Sequence, residues 1–242
     1  MIQITAINFA GERFILSPAE DKYAIKKVTG LSPQRGTIVT QKMARHGTEY
    51  INSTTDERNI LIDLKILGDV EENRNALYAA FPPALPVTLE FVTRTKRASI
   101  VGYPEDNDVD FFEQLSAAQL SIICPDPFFR AQETAYDAGT EEVTVKSSCP
   151  FEGGYGVSVA FQEAVNGFTV TNHTTGEVLT INHEFAAGDV LEIDTEERTV
   201  YINGANAYND KAGDWALLQF GQNRLTTSAP ATIKHTDRYI GL

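Results

Sequence analysis

Apolar and β-branched residues fall along this chain in short runs, some alternating with polar positions and some continuously apolar. In the first half such runs occupy 2–8, 23–29, 36–41, 59–67, 86–93, 98–103 and 119–124. A period of two over five to eight residues predicts half-buried strands. One segment breaks the pattern. Asp69 suits an N-cap, Glu72 stands three residues on as in a capping box, and Val70, Leu77, Tyr78 and Phe81 recur at helical spacing until Pro82-Pro83 ends the helix. Between Gly30 and Asp56 lies a long polar segment with Pro33, Gly36, Gly47 and a Ser/Thr cluster. That is more chain than a compact domain usually spends on a connection, so it is expected to be either disordered or bound to something.

The second half reads as strands over 142–147, 156–162, 167–172, 177–182, 189–194, 198–203, 215–220 and 231–235. Turn signals recur about every ten residues, the spacing of an all-β sandwich. Asn203-Gly204 is a strong tight-turn dipeptide, and Gly153-Gly154, Asn166-Gly167 and Ala187-Gly188-Asp189 punctuate other joins. Between the halves the run Leu120-Ser121-Ile122-Ile123-Cys124 stops at Pro125-Asp126-Pro127 and restarts as Phe128-Phe129. Proline lacks an N–H and holds φ near about −65°, so two of them flanking one aspartate cannot continue a ladder. The expected division is therefore 1–129 and 130–242.

The length, 242 residues, and a composition 42% hydrophobic and 22% charged suit a globular protein of one large or two ordinary domains. The opening Met1-Ile2-Gln3-Ile4-Thr5 has neither a basic region nor a long apolar one, and no stretch approaches about 18 apolar residues, so no membrane association is expected. The formal charge is −13, unevenly placed: residues 1–127 hold 13 basic against 17 acidic side chains, and residues 128–242 hold 7 against 16. A phosphate-backbone binder needs a basic surface, so specific nucleic-acid binding is not expected. Cys124 and Cys149 have no CxxC spacing and are read as two buried thiols.

Each chemical motif has a stronger structural reading. Gly156-Val157-Ser158-Val159-Ala160 approaches a nucleophile elbow, yet Ser158 sits inside an alternating strand rather than at a strand-to-helix turn. Glu105-Asp106-Asn107-Asp108-Val109-Asp110 resembles the start of a calcium loop, but Phe111 and Ala117 stand where further loop residues are required, so a solvated hairpin turn is expected. Glu192 and Asp194, two apart on one strand, could form a carboxylate pair; the alternation of Val190, Leu191 and Ile193 already explains them as a polar face. His46, His173, His183 and His235 are scattered without metal-ligand spacing. The sequence thus predicts no catalytic residues, no metal site and no cofactor. Trp215 is the one residue assigned a possible ligand, a saccharide stacked on its ring. Both faces of the 215–220 run are largely apolar, which favours a core position.

The ordered succession of features resembles one family. In the first half these are the opening strand, Arg45-His46-Gly47, Arg58-Asn59-Ile60-Leu61-Ile62-Asp63-Leu64, Gly68-Asp69 to Arg74, Phe81-Pro82-Pro83, Ile100-Val101-Gly102-Tyr103 and Cys124-Pro125-Asp126-Pro127-Phe128-Phe129. In the second they are Thr171-Asn172-His173-Thr174-Thr175-Gly176, Ala187-Gly188-Asp189-Val190-Leu191-Glu192-Ile193-Asp194, Arg198-Thr199-Val200-Tyr201-Ile202-Asn203-Gly204 and Leu217-Leu218 with Phe220-Gly221-Gln222-Asn223. Together they resemble the distal tail proteins (Dit) of long-tailed bacteriophages and prophages. The resemblance implies a mainly β chain: an N-terminal β-sandwich or barrel with one α-helix, then a galectin-like C-terminal β-sandwich. It also implies a homo-hexameric ring at the virion tail tip, assembled in the host cytoplasm. Such a ring joins the tail tube protein to the tail-associated lysin or fibre, carries receptor-binding proteins, and lets DNA pass. A carbohydrate-binding adhesin that contacts host saccharide is the alternative reading.

Overall fold

The computed structural model describes residues 3–16, 22–43, 46–109 and 117–242. The chain divides into two compact units, Met1–Ala131 with Tyr239–Leu242, and Gln132–Arg238. The described residues are mainly β with one α-helix, as the sequence pattern predicts.

In the first unit β1 (Gln3–Ile7), β2 (Arg13–Leu16), β3 (Tyr23–Thr29), β4 (Gly36–Lys42), β5 (Thr48–Thr55), β6 (Arg58–Ile66), α1 (Val70–Ala80), β7 (Val87–Val92), β8 (Arg97–Val109), β9 (Ala117–Cys124) and β10 (Phe129–Arg130) follow in order. One antiparallel sheet runs β2-β1-β7-β8-β9-β6-β3, with β10 on β8, while β4 and β5 pair with each other. Strand β8 serves both halves of this sheet: Arg97–Gly102 pair with β7 and Tyr103–Val109 with β9, with a register shift between Pro104 and Asp106. A bulge of this kind bends a strand, which lets a single sheet wrap its own apolar face. That face follows the period-two reading, with Ile60, Ile62, Leu64 and Ile66 of β6 meeting Leu89 and Phe91 of β7 in the core. Each such side chain contributes about 1.5–3 kcal/mol by leaving water.

The helix begins where the cap predicts. Asp69 accepts from the Glu72 backbone N–H at 3.1 Å, and Leu77 and Phe81 enter the core with Val70 and Tyr78 packed at its margin. Buried Asn73 donates to the Leu67 carbonyl at 2.7 Å and its own carbonyl accepts from Tyr23 Oη at 2.7 Å, tying the helix to the residue that follows β6 and to β3.

The second unit is a two-sheet sandwich. Its strands are β11 (Thr134–Ala138), β12 (Val143–Ser147), β13 (Gly156–Ala160), β14 (Val165–Asn172), β15 (Glu177–Phe185), β16 (Val190–Asp194), β17 (Thr199–Ile202), β18 (Ala205–Asn206), β19 (Lys211–Gly213), β20 (Gly221–Thr227) and β21 (Ala231–His235). One sheet runs β11-β21-β13-β16-β17-β18 and the other β12-β20-β14-β15-β19. Val157, Ile193, Val200 and Ile233 from the first meet Phe168, Val170, Leu179 and Ile181 from the second in one core, where Phe161 stacks on Phe185 at 4.1 Å. Asn203-Gly204 makes the tight turn it predicts, with φ of 50° and 76°, the pair of positive values a two-residue hairpin connection of this hand needs.

Two expectations are corrected. Residues 215–220 are not a strand: Ala216 has φ of 53°, outside the pleated region, and the segment is held by single contacts instead. Its Leu218 exchanges two backbone hydrogen bonds with Gly153, both 2.9 Å, while Asn172 Nδ2 donates to the Leu217 carbonyl at 2.8 Å and Asn223 Nδ2 to that of Gln219 at 2.7 Å. The strand at this point in the sequence is β20, whose buried face is Asn223, Leu225 and Thr227. Glu105 and Asp106 lie on β8 rather than on a turn, and Asp110 and Phe111 fall outside the described residues. The 30–56 segment forms the β4–β5 hairpin; Arg45 within it lies outside the described residues.

Candidate functional site

The β4–β5 hairpin is the most exposed ordered element of the first unit. Its ladder runs from Gly36↔Thr55 to Lys42↔Thr48, with a shift between Val39 and Thr40, and every residue of β4 is exposed. At about 3.3 Å per residue the arm is roughly 25 Å long. It displays Ile38 at 68% exposure, Val39 at 48%, Tyr50 at 60% and Ile51 at 52%. Directly opposed residues share a face, so Ile38 lies with Ser53 and Tyr50 with Thr40; Tyr50 Oη meets Ser53 Oγ at 2.8 Å, placing Ile38 and Tyr50 together. An isolated two-stranded ribbon is marginal in water, and one that shows four large apolar side chains and two unpaired edges is built for contact.

The foot of this arm is fixed by one buried cation. Arg58, the first residue of β6, is 1% exposed and lies with its guanidinium carbon 4.4 Å from the centre of the Phe129 ring. Its Nε donates to the Pro127 carbonyl at 2.7 Å, Nη1 to the carbonyls of Gly30 and of Ser32, the latter at 2.8 Å, and Nη2 to that of Ile240 at 2.7 Å. Burial draws the guanidinium below its ordinary pKa, and the carbonyl acceptors around it offset the loss of water. The neighbouring Cys124 thiol is pushed up to about 12, chiefly by burial. Gly30 has φ of 83°, and a Cβ there would stand 2.1 Å from the Asn59 carbonyl oxygen, so only glycine fits. Across the foot Thr37 Oγ1 donates to Asp56 Oδ1 at 2.8 Å and the Asp56 N–H to the Arg35 carbonyl at 3.1 Å. Sequence reading marked 30–56 by its length and polarity but missed Arg58 as its anchor, because an arginine opening an apolar strand carries no signal of burial.

In the second unit Trp215 is half-buried at the margin of the core, its ring centre 6.2 Å from that of exposed Tyr208 and 4.6 Å from Lys211 Nζ. Over β14 and β15 an open groove is lined by Asn166, Thr169, Thr180, Asn182, His183 and Ser228, and His183 Nδ1 lies 3.0 Å from Asp210 Oδ2. The carboxylate pair is separated in role: Glu192 is exposed on β16, whereas Asp194 Oδ1 accepts the N–H groups of Glu196 and Glu197, both at 2.9 Å, and shapes the turn into β17. Ser158 sits inside β13 opposite Glu192 and Thr232, without a nucleophile's turn. Cys124 and Cys149 are both free and buried. Among the described residues no three His, Cys, Asp or Glu side chains converge as metal ligands, and no helix is long and apolar enough to cross a membrane.

Residues 151–239 match the family model described as siphovirus-type tail component, C-terminal domain. Among solved structures, the Dit protein of phage SPP1, described as a paradigm of the hub adsorption apparatus in phages infecting Gram-positive bacteria, is similar over 99% of this chain and 99% of its own, with a TM-score of 0.78 and 15% identity. A chain of the phage P2 baseplate in its activated conformation with Ca is similar over 100% of both chains, with a TM-score of 0.55 and 9% identity. The corresponding structure with Sr is similar over 97% of this chain and 98% of that one, with a TM-score of 0.55 and 11% identity. Among curated proteins none matches this chain in sequence. Residues 151–239 are therefore similar to the siphovirus-type tail component, C-terminal domain, and the chain as a whole has the fold of the Dit protein of phage SPP1.

Proposed function

We propose that this protein is a structural hub of a bacteriophage or prophage tail tip, assembled in the host cytoplasm. Six copies close into a ring that joins the tail tube to the tail-associated lysin or fibre and carries receptor-binding proteins. The observation that carries this reading is the β4–β5 arm, an ordered ribbon with an apolar display on a chain whose other strands are built into sheets. Such an arm offers a neighbouring copy both side chains and a strand edge, the head-to-tail contact from which rings close. A formal charge of −13 suits a conduit through which DNA passes without adhering. The role is structural rather than catalytic. Light scattering and negative-stain imaging of the protein, alone and mixed with its tail-tip partner, test the ring; a strict monomer at high concentration with the partner present overturns it.

A second reading rests on the Tyr208–Trp215 pair. Two aromatic rings at a sandwich edge, one of them 50% exposed, offer a saccharide a stacking surface. In this reading the domain contacts host glycan as well as protein. Loss of a glycan-array signal in a folded Trp215→Ala variant supports it, and a wild-type array without signal overturns it.

A further inference from the structure

Residues 30–33 lead from β3 into the arm without a ladder of their own. On one side Arg58 holds the carbonyls of Gly30 and Ser32. On the other lie residues 241 and 242: the Leu242 N–H donates to the Leu31 carbonyl at 3.0 Å, and Gly241 lies so close that a Cβ on it would stand 3.0 Å from Pro33 Cδ and 3.1 Å from the Leu31 carbonyl oxygen. Ile240 shares the Arg58 guanidinium with Gly30 and Ser32, Lys96 Nζ donates to the Gly241 carbonyl at 3.1 Å while lying 4.5 Å from the Tyr239 ring centre, and Leu242 packs beside Leu31 at the core margin. These four residues follow the whole second unit in sequence yet belong to the first.

We infer that residues 239–242 are a strap that sets the foot of the β4–β5 arm, so that the arm becomes competent to join a second copy only after the chain has traversed the second unit and returned. The inference rests on the arm reading above. Before residues 239–242 arrive, Arg58 lacks one of its acceptors, the Leu31 carbonyl lacks its donor, and Pro33 lacks its neighbour. The arm's own ladder needs none of these, so the ribbon forms early but pivots about residues 30–35. A chain emerges from synthesis in order, and an arm displaying Ile38, Val39, Tyr50 and Ile51 would otherwise capture other unfinished copies. A foot fixed only once residues 239–242 have arrived delays that capture until the second unit has been made.

Two variants test the strap: truncation after Arg238, and Gly241→Val in the intact chain, which keeps the chain's length but crowds Pro33 and the Leu31 carbonyl. Hydrogen exchange at the Asp56 amide reports the foot, analytical ultracentrifugation reports self-association, and Tyr50→Asp serves as the arm-tip control. In both strap variants exchange at Asp56 is expected to quicken at least about ten-fold, as local opening without global unfolding does. Self-association is expected to weaken at least about ten-fold. In Tyr50→Asp only association falls. Strap variants that exchange at Asp56 or associate like the wild type overturn the inference. If truncation unfolds the first unit, Gly241→Val decides. If the intact chain does not self-associate even at high concentration with its tail-tip partner present, or Tyr50→Asp associates unchanged, the arm reading fails, and Asp56 exchange in Gly241→Val still decides whether the strap fixes the foot.

Discussion

His235 Nε2 lies 4.0 Å from Asp237 Oδ1 and, buried, makes no hydrogen bond, while Nδ1 of the same ring meets the Gly154 carbonyl at 3.1 Å. The ring is thus neutral, with Nδ1 as the donor and Nε2 as an unused acceptor. Asp237 Oδ1 is already taken by the N–H groups of Ser148 at 2.7 Å and Arg238 at 2.9 Å.

Burial lowers the His235 pKa below its ordinary 6.5, against the pull of the Gly154 carbonyl and of Asp237, with Arg238 adding to the lowering and Glu196 opposing it. The unfolded chain therefore binds this proton more readily than the folded one. The stability tied to neutral His235 is complete above about pH 6.5 and is lost as the pH falls through the lowered value. Melting curves between pH 7.5 and 5.5 are expected to move down by several degrees, and His235→Gln is expected to flatten that dependence.

Arg58→Met is expected to cost about 3–5 kcal/mol in denaturant unfolding, because it removes a buried guanidinium that four backbone carbonyls share as donor. Arg58→Lys is expected to recover little of this, since one ammonium cannot reproduce the planar fork that serves Pro127, Gly30, Ser32 and Ile240 from different sides.

Ile38→Asp and Tyr50→Asp replace side chains that face solvent, so each is expected to change stability by no more than about 0.5 kcal/mol. In sedimentation both are expected to shift the protein toward the monomer. A pair of variants with wild-type melting and wild-type mass would remove the arm from the assembly.

Trp215→Ala is expected to cost about 1–3 kcal/mol, less than the loss of a fully buried aromatic, because its ring is only half-buried against Tyr208 and Lys211. Thermal melts of the variant beside the wild type measure it.

The strands that bury one face were legible: β6 alternates Ile60, Ile62, Leu64 and Ile66 against polar neighbours, and α1 shows its cap at Asp69 and its stripe through Leu77 and Phe81. What escaped lacks that contrast. β5 buries nothing, so its sequence carries no inward set, and β20 turns Asn223 and Thr227 inward, where the Gln219 backbone and the Ala229 carbonyl satisfy them. The run 215–220 looks apolar on both faces, yet Ala216 at positive φ and the Asn172 and Asn223 side chains hold it irregular. In the sequence Arg58 shows only as the start of a strand; its role depends on carbonyls drawn from residues 30, 32, 127 and 240, a convergence that no local window contains.

Because residues 239–242 rejoin the first unit, the second unit is an inserted loop of chain with two covalent attachments rather than a bead on one tether. Tension applied to that insert divides between the outgoing peptide near Pro127 and the returning one near Ile240, and both carbonyls rest on the same guanidinium. An insert exchanged for a larger or smaller one would still be joined to the first unit through the same pair of ends.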